Sequence, residues 1–181
     1  MSEYVDSNLS TSDTSHLSLS IDYPNVNLCD DFEAMFNLMA DEAGIPACHI
    51  VEVIFAESVK MRELKNIHFD MDMDTDVIAF TTDNPELPAG FPALAGEMFI
   101  GLTEIQKNAV GIDWSFSEEL LFVLAHGLLH LRGWDDSTDE ERCEMFKEQK
   151  RILDELENHN FNLTDVISCT PVCEPDPYVM Y

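Results

Sequence analysis

The segment Ala125–Asp136, AHGLLHLRGWDD, carries metal-binding residue types at spacings that let them converge. His126 and His130 are four residues apart, about one helical turn, so both project from one face of a helix. Gly133 stands where such a helix would stop, because glycine adopts the left-handed conformation of a C-cap. The chain can then fold back and bring Asp136 toward the two imidazoles. Two histidines and a carboxylate have the ligand logic of an open three-ligand zinc site, with the fourth position left for water. The catalytic group would be the water on a zinc held by His126, His130 and Asp136. Asp135 competes for the third position; spacing favours Asp136, and if Asp135 binds, Asp136 supports the site from behind. The plainer alternative is a pair of hydrogen-bonded core histidines, since Leu120–Leu124 and Leu128–Leu129 read as buried.

The residue after the first histidine narrows the chemistry. Zinc proteases with an H-E-x-x-H motif use that glutamate as general base. Here the position is Gly127, which has no side chain to take a proton. Zinc lowers the pKa of bound water to about 7, so a nucleophile remains available. Phosphodiester cleavage suits such a site, because the metal polarises a phosphoryl oxygen and neutralises developing charge.

Several elements must position these residues. Apolar residues at helical spacing predict a helix from about Asp31 to Gly44 and another from Glu57 to about Phe69. Ala47–Ala56, Asp76–Thr82 and Glu97–Leu102 read as strands, and the Pro- and Gly-rich stretch Asp83–Ala95 as a loop. A short helix is expected from about Thr103 to Val110. Ser115 or Ser117 caps the histidine helix, and Glu118 three residues after Ser115 completes a capping box. Ser137 or Thr138, with Glu140 or Glu141, caps a last helix running to about Glu157. Mixed strands and helices around a central histidine helix make an α+β fold, a mixed sheet packed with helices.

The chain has 181 residues, 45% of them apolar, enough for one domain with tails. Residues 1–28 read as a disordered acidic arm in which His16 is incidental, 29–158 as the domain carrying the histidine motif, and 159–181 as an irregular tail. No apolar run approaches ~18 residues, so no membrane span is expected. The N-terminus has neither the basic nor the apolar region of a secretion signal, which makes the cytoplasm the default location. Cys29, Cys48, Cys143, Cys169 and Cys173 are odd in number and scattered, against a disulfide framework; the Cys169–Cys173 pair reads as incidental. The net charge is −27, from 36 acidic and 9 basic residues, and such a chain repels polyanions at long range. Charge alone therefore argues against a nucleic-acid partner.

The motif argues otherwise. His126, Gly127, Leu129, His130, Leu131, Gly133, Trp134 and Asp135 fall in register with the signature H-G-x-L-H-L-x-G-Y-D-H of the YbeY endoribonucleases, which this chain resembles. Thr75–Phe80 looks like the family's T-D-V-L-S-F strand, Gly96–Ile100 like its G-D-I-x-I strand, and Met145 also fits. The resemblance spans roughly residues 30 to 157. It implies a YbeY-like, distantly metzincin-like fold, with residues 29–158 as a metal-dependent nuclease domain. It also implies one zinc ion per chain and hydrolysis of single-stranded ribosomal RNA, in ribosomal RNA maturation and ribosome quality control. The implied partners are that RNA and the small ribosomal subunit or its proteins, with no membrane. Two departures stand out. Asp136 replaces the family's last histidine. Asn66 and Phe69 resemble the asparagine and aromatic that precede a functional arginine, but the arginine position is Asp70. Lys60, Arg62, Lys65 and Arg132 are the candidates for phosphate contact in its place. The lost arginine and the net charge favour an alternative, a ribosome-associated metal-binding adaptor with little nuclease activity. A zinc peptidase, the third reading, is disfavoured by Gly127.

Overall fold

Val51, Val53 and Phe55 alternate along one strand and are all fully buried, which marks it as interior to a sheet. In the computed structural model, which describes residues 15–47, 49–82 and 93–169, this strand is β3 (His49–Ala56). It pairs in parallel with β1 (Leu17–Asp22) on one side and β5 (Ala93–Gly101) on the other. β4 (Val77–Thr81) runs antiparallel to β5, giving a mixed four-stranded sheet of order β1-β3-β5-β4. A two-residue ladder joins β2 (Asn27–Leu28) to β6 (Ile167–Ser168).

Parallel neighbours need crossovers, and helices supply them. α1 (Phe32–Glu42) lies between β1 and β3 in the chain, and α2 (Ser58–Phe69) between β3 and β4. α3 (Leu102–Ile112) follows β5 directly and leads to α4 (Phe116–Leu131) and α5 (Asp139–Asn158). The main core joins one sheet face to α1, α4 and α5 through Phe36, Met39, Leu124, Leu128 and Ile152. A smaller cluster, Ala56, Met61 and Ile78, seats α2 on the other side.

α4 is apolar nearly all round, as a central buried helix should be. It packs against α1, α3, α5, β4 and β5. Ser115 and Glu118 form the expected capping box at its start, and the Ser115 hydroxyl and N–H hold the Glu118 carboxyl below its ordinary range. Thr138 and Glu141 form a second capping box at the start of α5.

Four expectations need correction. The stretch read as an arm contains β1 and β2, so its part from His16 onward belongs to the folded domain. Leu17 and Leu19 face the core while Ser18 and Ser20 face outward, and this short edge alternation is masked by a Ser-rich composition. His16 is not incidental: it is buried, with Nδ1 2.7 Å from the His49 carbonyl and Nε2 3.0 Å from Asp41 Oδ1. The tail is likewise anchored, since Leu163, Val166 and Ile167 are buried and β6 pairs with β2. β5 starts at Ala93 rather than Glu97, because small residues with little strand propensity open it. The arm's first 14 residues, the loop over 83–92, the tail after 169 and Cys48 and Cys173 lie outside the described residues. Among the described residues, no helix is long and apolar enough to cross a membrane.

One buried side chain adds to the tail's attachment. The buried Ser117 hydroxyl accepts from the N–H groups of Val166 at 2.9 Å and Ile167 at 3.2 Å. Ser117→Ala strands two buried donors, and we expect a loss of about 1–3 kcal/mol in urea denaturation. An unchanged midpoint would mean the tail does not depend on this contact.

Candidate metal centre

α4 brings the two histidines together as their spacing predicts. Their Nε2 atoms are 2.9 Å apart, with ring centroids 4.4 Å apart and planes at 87°. The helix then stops. Gly133 takes φ +84°, its N–H donates to the His130 carbonyl at 2.9 Å, and the Trp134 N–H donates to the Leu129 carbonyl at 3.1 Å. This is a Schellman closure. The reversed chain carries Asp136 back until its Oδ2 lies 3.7 Å from His126 Nε2. One ligand atom from each of His126, His130 and Asp136 lies within 4.8 Å of the others.

Hydrogen bonds settle which imidazole nitrogens are free. His130 Nδ1 is 3.0 Å from the Trp134 carbonyl, which can only accept, so Nδ1 carries the proton. Gln149 Nε2 donates to the Phe122 carbonyl at 3.1 Å, which turns Oε1 toward His126 Nδ1 at 3.4 Å to accept from it. Both Nε2 lone pairs therefore converge, and a carboxylate joins them. A proton can satisfy the nitrogen pair; a divalent cation satisfies all three acceptors at once. The 2.9 Å separation is somewhat tighter than the ~3.3 Å edge of a tetrahedron drawn at zinc–nitrogen distances of about 2.0–2.1 Å. The donor set thus fits a divalent metal of the zinc class. Burial, and then the neighbouring His130, lower the pKa of His126 and favour the neutral, ligating form.

Asp135 is occupied elsewhere. Its Oδ1 accepts from the Asp136 N–H at 2.8 Å, the Ser137 N–H at 3.2 Å and the Ser137 hydroxyl at 2.7 Å, and these bonds lower its pKa. It shapes the turn that presents Asp136. Gly127 faces the sheet: a Cβ there would meet Met98 Cε at 2.7 Å and Val77 Cγ2 at 3.3 Å. Close helix–sheet packing therefore accounts for this glycine.

The three residues border a cleft of about 550 Å³ whose walls include Lys65, Phe69, Thr75 and Asp76. Of the four basic candidates, only Lys65 lines it, with its ammonium 4.9 Å from the Phe69 ring centroid. Arg62 donates to Asp74 Oδ1 at 3.0 and 2.6 Å. Lys60 lies exposed on α2, and Arg132 borders a separate cleft with Ile45 and His49. Asp70 closes α2 at φ +55°, a conformation that Asp tolerates better than most residues. Gln149, Asp76 and Glu119 were not anticipated. A lone Glu119 seven residues before His126 on an otherwise apolar helix face was the available signal.

Comparison with known proteins agrees with this architecture. The model of the family described as Endoribonuclease YbeY matches residues 16–157. A protein named Endoribonuclease YbeY from Bacillus cereus (strain G9842) is 36% identical over 110 residues, covering 58% of this chain and 70% of its own. A protein of the same name from Ureaplasma urealyticum is 35% identical over 125 residues, covering 69% and 79%. The solution structure of TM1509 from Thermotoga maritima superposes with a TM-score of 0.55 at 23% identity, covering 89% of this chain and 99% of that one.

Two measurements check the centre. His130→Ala should remove the metal, and Asp136→Ala should weaken it by roughly 10–100-fold in chelator competition. Asp135→Ala should do less; the reverse order would refute the ligand set. In metal-free protein, the His126 contribution to stability is full above the unfolded value near 6.5. It is lost as pH falls from there toward the lower folded pKa, because the unfolded chain takes the proton first. His126→Asn should reduce this loss in denaturation curves collected across that range.

Proposed function

Because the chain belongs to the endoribonuclease YbeY family, we propose that it is a zinc-dependent endoribonuclease cutting single-stranded ribosomal RNA. In this reading it serves ribosomal RNA maturation and ribosome quality control in the cytoplasm, with the small ribosomal subunit or its proteins as partner. The observation that carries the reading is the convergence of two imidazole lone pairs and a carboxylate beside an open cleft. A zinc ion held by His126, His130 and Asp136 would supply Lewis acidity toward a phosphoryl oxygen and an acidified water.

The chain's own groups do the rest. The Trp134 carbonyl and Gln149 hold the imidazoles in the tautomer that ligates. Lys65, on the cleft wall, meets a phosphate of the strand, and the exposed Phe69 ring beside it offers a surface for a base. Arg62 is committed to Asp74 and contributes little. The presence of only one of the four basic candidates in the cleft, with Asp70 at the family's arginine position, supports the second reading, an adaptor with little nuclease activity.

The test incubates zinc-loaded protein with labelled single-stranded RNA and, separately, with casein. RNA cleavage that disappears in His126→Ala supports the nuclease; ribosome binding without cleavage supports the adaptor; casein hydrolysis overturns both. Lys65→Ala should weaken RNA binding and flatten the dependence of log affinity on log salt by about 0.7, the value for one single-strand phosphate contact. Arg62→Ala should leave that slope unchanged.

A further inference from the structure

A second cleft, of about 300 Å³, borders the same imidazole on the α5 side, and His126, Asp136, Asp76, Glu119 and Gln149 line it. Glu119 is the anomaly there. The residue is only 6% exposed and lines the cleft; its carboxylate oxygens keep some contact with solvent and have no hydrogen bond or ion pair with any described residue. Of the other buried polar side chains described, His16, Ser117 and Gln149 have hydrogen-bond partners, while the Ser58 hydroxyl has none. A carboxylate so largely enclosed, open only to a cleft and without a protein donor, attracts a proton or a cation.

The surroundings sharpen that choice. Asp76 and Glu119 line the same cleft, and burial, then the charge of Asp76, raise the pKa of Glu119. Asp76 Oδ2 accepts from Asn108 Nδ2 at 3.1 Å, leaving Oδ1 without a hydrogen bond among the described residues. Asp136 adds a third carboxylate from the turn after α4. Arg142 from α5 is the cation lining this cleft, but its guanidinium donates to the carbonyls of Asp136 and Ser137 and to Asp139. The excess negative charge therefore lacks a committed counter-charge.

We propose that Asp76 and Glu119 hold a second, hard divalent cation of the magnesium class beside the His126–His130–Asp136 centre. The proposal rests on the reading of the cleft as a phosphodiester-cleaving site. Magnesium takes oxygen ligands, is commonly held by one or two carboxylates, and completes its shell with waters and substrate phosphate. The imidazole pair and the carboxylate pair sort two metals by donor chemistry, nitrogen-rich against all-oxygen. Such an ion would also let a chain of net charge −27 draw a phosphate toward the imidazoles without the arginine that Asp70 replaces.

The experiment titrates zinc-loaded full-length protein with Mn²⁺, read by loss of the free-ion electron paramagnetic resonance signal. Wild type should bind one Mn²⁺ per chain with zinc in place. Glu119→Gln and Asp76→Asn should each weaken it by ~10-fold or more, with zinc content and melting temperature retained. His130→Ala should lose zinc and keep Mn²⁺. No Mn²⁺ uptake beside bound zinc, or equal uptake by wild type and both carboxylate variants, overturns the proposal in favour of a proton held by Glu119. Loss of Mn²⁺ in His130→Ala but not in Glu119→Gln assigns the ion to the imidazoles and also overturns it. Failure of wild type to take up zinc refutes the imidazole centre instead, and Mn²⁺ titration of the zinc-free wild type and Glu119→Gln then decides the carboxylate pair separately.

Discussion

The burial of α4 on nearly every side is the constraint from which the site follows. A helix packed against α1, α3, α5 and two strands cannot rotate, so His126 and His130 have one direction available. The close approach of Gly127 to Met98 and Val77 sets how near the helix sits to the sheet. The same packing places β4 and Asp76 beside the imidazoles. Rigid surroundings matter because a metal centre needs its donors within a few tenths of an ångström. Gly133 contributes the complementary element, a sharp stop that returns the chain with Asp136 at its tip.

Electrostatics around that frame runs against the expected substrate. Acidic groups line both clefts, Arg62 is drawn to Asp74, and Arg142 is drawn to the turn and Asp139. Such a surface meets RNA only where local positive charge is supplied. Lys65 supplies some, and metal ions are the remaining source the donor chemistry permits. The half-buried His126, its pKa lowered, and Glu119, without a hydrogen bond to any described residue, both express the same condition, a pocket rich in acceptors and poor in donors. Asp135 shows how one acid escapes it, by satisfying its oxygen with three local donors.

Local signals carried far along this chain. The four-residue histidine spacing, the Gly133 stop and the two capping boxes each depend on residues a few positions apart, and the helices and central strands they imply are present. Spacing favoured Asp136 over Asp135, and the turn brings Asp136 to the imidazoles. Long-range pairing was not readable. Leu17 meets Val51 and Leu28 meets Ile167, and neither short strand carries enough alternation to announce a partner so distant. His16, Gln149 and the tail took on meaning only once those partners were in place.

The charges followed the same division. Sequence by itself determined which residues could ligate metal, that the protein is strongly acidic, and that Gly127 leaves no base within the motif. Tertiary structure decided which basic residues reach the cleft, because Arg62 and Lys65 are neighbours on α2 yet only Lys65 lines it. It alone placed Glu119 and Asp76, 43 positions apart, on one cavity wall. Periodicity encodes the direction of a side chain along its own element; the charge it then faces is set by the packing of elements distant in sequence.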